Sequence, residues 1–187
     1  MTEHHHSGTT KKSWSVLLGL LAATLLSGCE IDLSGGTTTD SPSAERATVT
    51  RVVDGDTIEV RTGGRTEKVR VLGIDTPETH GGTECGGPEA TAVVTDHWEG
   101  RKVTLVRDSR ADDTDRYDRL LRHVQDNGPT PGNLAHDVVT AGWAIAYHPD
   151  SEPAPDGFTE LQRLQGIAES EGAGAWGTGC QMSPARP

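Results

Sequence analysis

The sequence is short of apolar and aromatic residues. Hydrophobic residues make up 33 % of its 187 positions and aromatics only 4 %. So little apolar material cannot pack the whole length into one core, and part of the chain must lie outside the folded domain. Basic residues are outnumbered, 17 against 28 acidic, for a formal charge of −11. That balance argues for solubility, in a saline medium above all, and against a general nucleic-acid-binding surface. Together with abundant Asp, Thr and Gly it suits a halophile. Cysteine is scarce, and the three present, Cys29, Cys85 and Cys180, lie too far apart for a zinc site. No long hydrophobic run occurs. Val16 to Leu26 is about a dozen residues, too short to span a bilayer comfortably. There is no internal repeat and no twin arginine.

What is present begins with a leader. Lys11 and Lys12 precede the apolar run, which ends in Leu26-Ser27-Gly28-Cys29. Residues 1–28 read as a signal peptide, and the small residues before Cys29 resemble a lipobox. In such signals the cysteine is lipidated and becomes the new N-terminus. The alternatives are an ordinary signal peptide with an incidental cysteine, or an uncleaved anchor. His4 to His6 are part of the leader and read as polar filler rather than a metal site. Cleavage removes Lys11, Lys12 and Glu3 and leaves 15 basic and 27 acidic residues. Lipid on Cys29 would hold the chain on the outer face of the cell membrane, with secretion as the other outcome. Residues 29–46, rich in Ser, Thr, Gly and Asp, read as a flexible tether. In an oxidising compartment Cys85 and Cys180 are an even pair, and a disulfide between them is expected. Two free thiols are the alternative.

The domain is expected over 47–171, with 172–187 as a C-terminal tail. β-Branched residues mark a strand at 47–53, and Asp54-Gly55 is a tight-turn dipeptide. The return strand, 56–62, leads through Gly63-Gly64 to a third strand at 66–74. In that strand Val69 and Val71 share one face, while Arg70, Leu72 and Ile74 take the other. Pro77 ends it. A helix is predicted from Pro88 to Gly100, with Ala90, Val93, Val94, His97 and Trp98 as its packed stripe. Strands follow at 102–107 and 120–124, then helices at 133–141 and 156–170. Five short strands with helices after the third and fifth suit an α+β fold, a five-stranded OB-type barrel with about three helices.

Two stretches carry chemistry. VRVLGIDTPET, 69–79, places an arginine, two carboxylates and a hydroxyl on one strand end. The meander brings Asp56 near that end. Asp56 and Asp75, with the Thr76 carbonyl, offer oxygen ligands for a hard cation such as Ca2+. Glu78 would stand beside a metal-polarised water as general base or orienting group. Arg70, and Arg119 from the charged segment 109–124, could fork onto a phosphate. Asp54 reads equally well as turn chemistry.

These stretches resemble the staphylococcal nuclease (thermonuclease) family. The likeness rests on VVDGDTIEV at 52–60, VRVLGIDTPET at 69–79, CGGPEA at 85–90, DRYDR at 115–119 and NLAHDVVTAGWAIAY at 133–147. It implies calcium on Asp56, Asp75 and Thr76, and catalysis by Arg70, Glu78 and Arg119. It further implies nucleotide contacts near Tyr117 and Tyr147. The implied reaction is hydrolysis of DNA or RNA phosphodiesters to 3′-phosphate ends by a monomer. A non-catalytic nucleic-acid-binding OB module on an envelope lipoprotein is the alternative. Two departures stand out. Asp118 replaces the family's usual glycine and would compete for Arg119, and the loop at 79–87 lacks lysines. Arg101, Lys102, Arg107, Arg110 and Arg116 are expected to form a local basic lip for substrate.

Overall fold

A computed structural model describes residues 44–80 and 82–183. The leader, the lipobox with Cys29 and nearly all of the tether lie outside the described residues.

Alternation of apolar and polar residues builds the first strands. β1 (Ala44–Val52) buries Ala47, Val49 and Val52, and β2 (Thr57–Thr62) buries Ile58 and Val60. They pair antiparallel, Thr48 opposite Arg61, with a bulge between Val49 and Arg51. β1 starts at Ala44, so the last three residues read as tether belong to the barrel. Gly63 and Gly64, both at positive φ, turn the chain into β3 (Arg65–Val71), where Val69 and Val71 face the core.

The third strand does not run straight through to residue 74 as the alternation predicts. It stops at Val71 and turns at Leu72-Gly73, with Gly73 at φ 83°. A new short strand, β4 (Ile74–Asp75), follows. The kink changes the parity of the faces, so Ile74 joins Val69 and Val71 in the core. A side chain at Gly73 would meet Leu161 at 2.6 Å, and only glycine fits there.

α1 (Gly87–Trp98) packs Ala90, Val94 and Trp98 inward. His97, expected on that stripe, is exposed instead, with its ring near the Val93 carbonyl. Burial follows the i, i+4 row 90-94-98, and residue 97 lies off that row. β5 (Lys102–Val106) pairs with β1, and β6 (Leu120–Asp126) with β5, both antiparallel. β6 also pairs with β3 in parallel, Val69 opposite Leu120, and this closes a barrel in the order β1-β2-β3-β6-β5. The five-stranded OB-type barrel expected from the sequence is thus present.

α2 (Leu134–Thr140) is capped by the Asn133 side chain, which accepts the His136 N–H. After it, β7 (Ile145–Ala146) pairs antiparallel with β4, and α3 (Phe158–Glu171) covers that pair with Leu161. The tail has more structure than its composition promises. α4 (Ala175–Thr178) forms one helical turn, and Ala173 lies so near Gly142 that a Cβ there would sit 2.2 Å from its carbonyl oxygen. The Cys85–Cys180 disulfide, expected as a pair, is formed across 95 residues. Closing a loop of that length contributes roughly 4.7 kcal/mol on a chain-entropy view. No helix among the described residues is long and apolar enough to cross a membrane.

Candidate active site

The turn before β2, the β3–β4 kink and the segment before β6 meet at one end of the barrel. Asp56 opens β2, and its carboxylate is buried. Oδ2 accepts the Thr76 backbone N–H at 3.0 Å and the Thr76 hydroxyl at 3.2 Å, while Oδ1 accepts the Thr57 hydroxyl at 3.0 Å. Close approach makes this possible. A side chain at Gly55 would lie 2.8 Å from Thr76 Cγ2, so the turn needs glycine to reach it. Arg70 on β3 stands in register with Thr57. Its guanidinium pairs with Asp56 through Nη1 and with Asp75 through Nη2, the latter at 2.7 Å. The two buried carboxylates that the sequence pairs are therefore held side by side by the first of the two expected arginines.

The second arginine arrives from the other side. Arg119 Nη1 donates to the Thr57 hydroxyl at 3.2 Å. Thr57 therefore stands between Arg70, opposite it in the β2–β3 pair, and Arg119. Asp115 fixes Arg119. Its carboxylate accepts Arg119 Nε at 2.7 Å, the Arg119 N–H at 3.0 Å and the Tyr117 N–H at 2.9 Å. Burial raises the Asp115 pKa, but these three donors outweigh it and hold the group below the usual carboxylate range. The sequence reading gave Asp115 no role. Its signal was the spacing of an Asp four residues before the arginine, hidden among four aspartates and four arginines in the same segment.

Glu78 lies half-buried beyond β4, and its N–H donates to Glu84 at 3.1 Å. Burial and the charge of Asp54 raise its pKa, with Asp75 and Glu84 adding to the effect and Arg70 opposing it. Asp54 does serve the turn. It caps the turn by accepting the Asp56 N–H at 3.2 Å, and it is buried within the field of Arg70 and Arg119. Burial wins, and its pKa is raised.

Asp56 and Asp75 supply the oxygen donors that a hard cation takes, but both carboxylates are turned to Arg70, and no group of three or more His, Cys, Asp or Glu suited to a metal occurs among the described residues.

A family model described as Staphylococcal nuclease homologue matches residues 68–178, which include Arg70, Asp75, Glu78 and Arg119. The chain belongs to the staphylococcal nuclease family. It is 39 % identical over 79 residues to a thermonuclease of Staphylococcus hyicus, covering 41 % of this chain and 46 % of that protein. It is 34 % identical over 132 residues to an SPbeta prophage-derived endonuclease of Bacillus subtilis, covering 69 % of this chain and 43 % of that one. An uncharacterized protein of Methanocaldococcus jannaschii is 27 % identical over 197 residues, 86 % of this chain and 93 % of its own. The chain thus spans about half the length of the two relatives named as nucleases.

In this staphylococcal nuclease homologue the remaining expected residues divide. Tyr117 is 62 % exposed, with the guanidinium carbons of Arg116 and Arg119 at 4.8 and 5.4 Å from its ring centre. Arg116 also donates to the Tyr117 hydroxyl at 2.8 Å. Both therefore stand at the clamp. Tyr147 follows β7, and its N–H bonds the Gly73 carbonyl at 2.9 Å, beside the kink that presents Asp75. Of the five residues expected in a local basic lip, three are neutralised. Arg101, Arg107 and Arg110 pair with Asp126, Asp113 and Asp156 respectively.

Asp118 does not take Arg119. The arginine's carboxylate partner is Asp115, and Asp118 is exposed. What Asp118 does carry is a φ of 58°, the left-handed conformation that glycine adopts at least cost. Asp118→Gly is expected to raise stability by roughly 0.5–1 kcal/mol, read as a higher urea midpoint at unchanged slope. A lower midpoint would mean that the aspartate side chain itself supports the loop.

Proposed function

We propose that the protein is a calcium-dependent nuclease that hydrolyses phosphodiester bonds of DNA or RNA and leaves 3′-phosphate ends. The observation that carries this reading is the meeting of Arg70 and Arg119 across Thr57, beside two buried carboxylates and a half-buried glutamate. Asp56, Asp75 and the Thr76 carbonyl would hold the cation. When bound, calcium polarises the phosphodiester and favours a nucleophilic water. A cation there would meet the charge on Asp56 and Asp75 that Arg70 meets in its absence, and would leave the guanidinium able to serve the phosphate. Glu78 takes a proton from water as its oxygen forms the new bond to phosphorus. Arg70 and Arg119 stabilise the charge that builds on the phosphoryl oxygens while the bond to the 5′-oxygen breaks and that oxygen takes a proton from solvent. Asp115 keeps Arg119 aimed, and Tyr117, Tyr147 and Arg116 line the nucleotide side.

The leader pattern and the Cys85–Cys180 disulfide support an exported protein, anchored by lipid on Cys29 at the outer face of the membrane. The net charge of −11 supports work in a saline medium, where repulsion of the polyanion is screened.

Digestion of plasmid DNA and of RNA, with calcium and with chelator, across salt and pH, tests the reading. Cleavage is expected with calcium only. Because the Glu78 pKa is raised, activity is expected to fall with acid at a pH above the ordinary glutamate value of about 4.3. Cleavage in excess chelator would remove the metal assignment. Binding without cleavage at every salt concentration would leave a nucleic-acid-binding module.

A further inference from the structure

We propose that the outer face of β2, β1 and β5 is a second binding surface for the nucleic-acid backbone, distinct from the catalytic clamp; this rests on the nuclease reading. Arg61 and Lys102 are both cross-strand partners of Thr48, one on each side. Two strand spacings place their Cα atoms roughly 10 Å apart. Arg46 precedes Thr48 by two residues and so shares its outward face. All three cations are exposed. With the Gly63-Gly64 turn and Asn127 they line a shallow cavity of about 260 Å³.

None of the three is paired with a carboxylate. Most other arginines among the described residues are neutralised, and Arg116, bonded to the Tyr117 hydroxyl, is the exception. Arg51, Arg101, Arg107, Arg110, Arg122 and Arg163 each pair with a carboxylate. Among the described residues, Arg46, Arg61 and Lys102 have no such partner, and no acidic side chain lines their cavity. Glu45 adjoins Arg46 in sequence, but its carboxylate accepts the Thr62 hydroxyl at 2.6 Å. A cluster of unpaired guanidinium and ammonium groups beside an asparagine amide suits phosphate oxygens.

Position identifies the partner. The surface is continuous with the clamp along β2. Thr57, Glu59 and Arg61 alternate onto one face, and Thr57 bears the bond to Arg119. Four residues of strand separate Thr57 from Arg61, roughly 13 Å. That falls within the reach of a strand bound to an OB fold, which covers about 4–16 nucleotides. The one carboxylate on the way, Glu59, is held by Arg51 at 2.7 Å and faces Lys68 across the β2–β3 pair. An anionic membrane would meet the same charges but has no need of this continuity.

The test uses Arg46→Gln, Arg61→Gln and Lys102→Gln combined. Binding of a labelled 20-nucleotide single strand is followed by anisotropy in chelator, and turnover of a p-nitrophenyl phosphodiester of thymidine is followed in calcium. The variant is expected to weaken oligonucleotide binding by about tenfold or more at low salt. Its slope of log K against log salt should fall by about 2, for three lost phosphate contacts on a single strand. Turnover of the short diester should not change. Unchanged affinity and slope would overturn the proposal. So would loss of binding to phosphatidylglycerol vesicles with oligonucleotide affinity intact, which would assign the face to the membrane. If the wild type cleaves neither the diester nor DNA, the nuclease reading fails, and the anisotropy still decides the surface. The Lys-for-Arg variants at 46 and 61 should retain wild-type salt slopes and show that charge, not folding, is read.

Discussion

Arg119→Ala is expected to lower turnover by about 10²–10³-fold, the usual loss when one preorganised donor to developing charge is removed. The fold should survive. Arg119 is a quarter exposed, and its side chain reaches only Thr57 and Asp115 by hydrogen bonds. Asp115 would lose one ion pair but keep the backbone N–H groups of residue 119 and Tyr117. Arg119→Lys should recover little, because an ammonium cannot hold Asp115, Thr57 and a phosphate in one plane. Asp115→Asn should fall between wild type and Arg119→Ala, since the amide preserves an acceptor but not the charge that fixes the guanidinium. Single-turnover cleavage of an end-labelled oligonucleotide reads all three. A near-normal rate for Arg119→Ala would place the chemistry elsewhere.

The second large effect is on stability. Arg70→Gln is expected to cost about 3–5 kcal/mol in chelator, the range for breaking a buried ion pair by removing one partner. Arg70 bridges Asp56 and Asp75, each 3 % exposed, so its loss removes the guanidinium that the two buried carboxylates share. Calcium should restore much of the lost stability at neutral pH if these carboxylates hold it. Urea midpoints with chelator and with calcium measure this, and equal midpoints would show that the cation is not held there.

Much of this arrangement was legible in the sequence, because strand alternation and turn dipeptides are local signals. Val69 and Val71 on one face, the Gly63-Gly64 turn and the helix start at Pro88 all follow from neighbours a few residues away. The parity of Ile74 does not. It depends on a left-handed Gly73 that exists because Leu161, 88 positions on, fills the space a side chain would need. The expected ligands and arginines come together, yet the sequence could not show that Arg70 holds both carboxylates. Nor could it show that Asp115, rather than Asp118, takes Arg119. Among so many opposite charges in one segment, only the backbone path decides who meets whom. The helical turn in the tail was hidden for a related reason. Ala175 is buried by Gly142 and its neighbours, and a Gly-Ala-rich stretch carries no periodicity of its own.

The parallel pairing of β3 with β6 has a consequence for the order of folding. It joins Val69 to Leu120 and is the last seam of the barrel in chain order. Parallel, long-range seams are slow to form, because loop closure must come before its reward. Arg119 is the residue just before that seam. A nascent chain of 110 residues already carries Asp56, Arg70, Asp75 and Glu78, but it has neither the second guanidinium nor the strand that brings it in. Assembly of the clamp is therefore coincident with closure of the barrel. On the nuclease reading, a chain folded short of this seam would lack the second guanidinium, and cleavage would require the barrel to be closed.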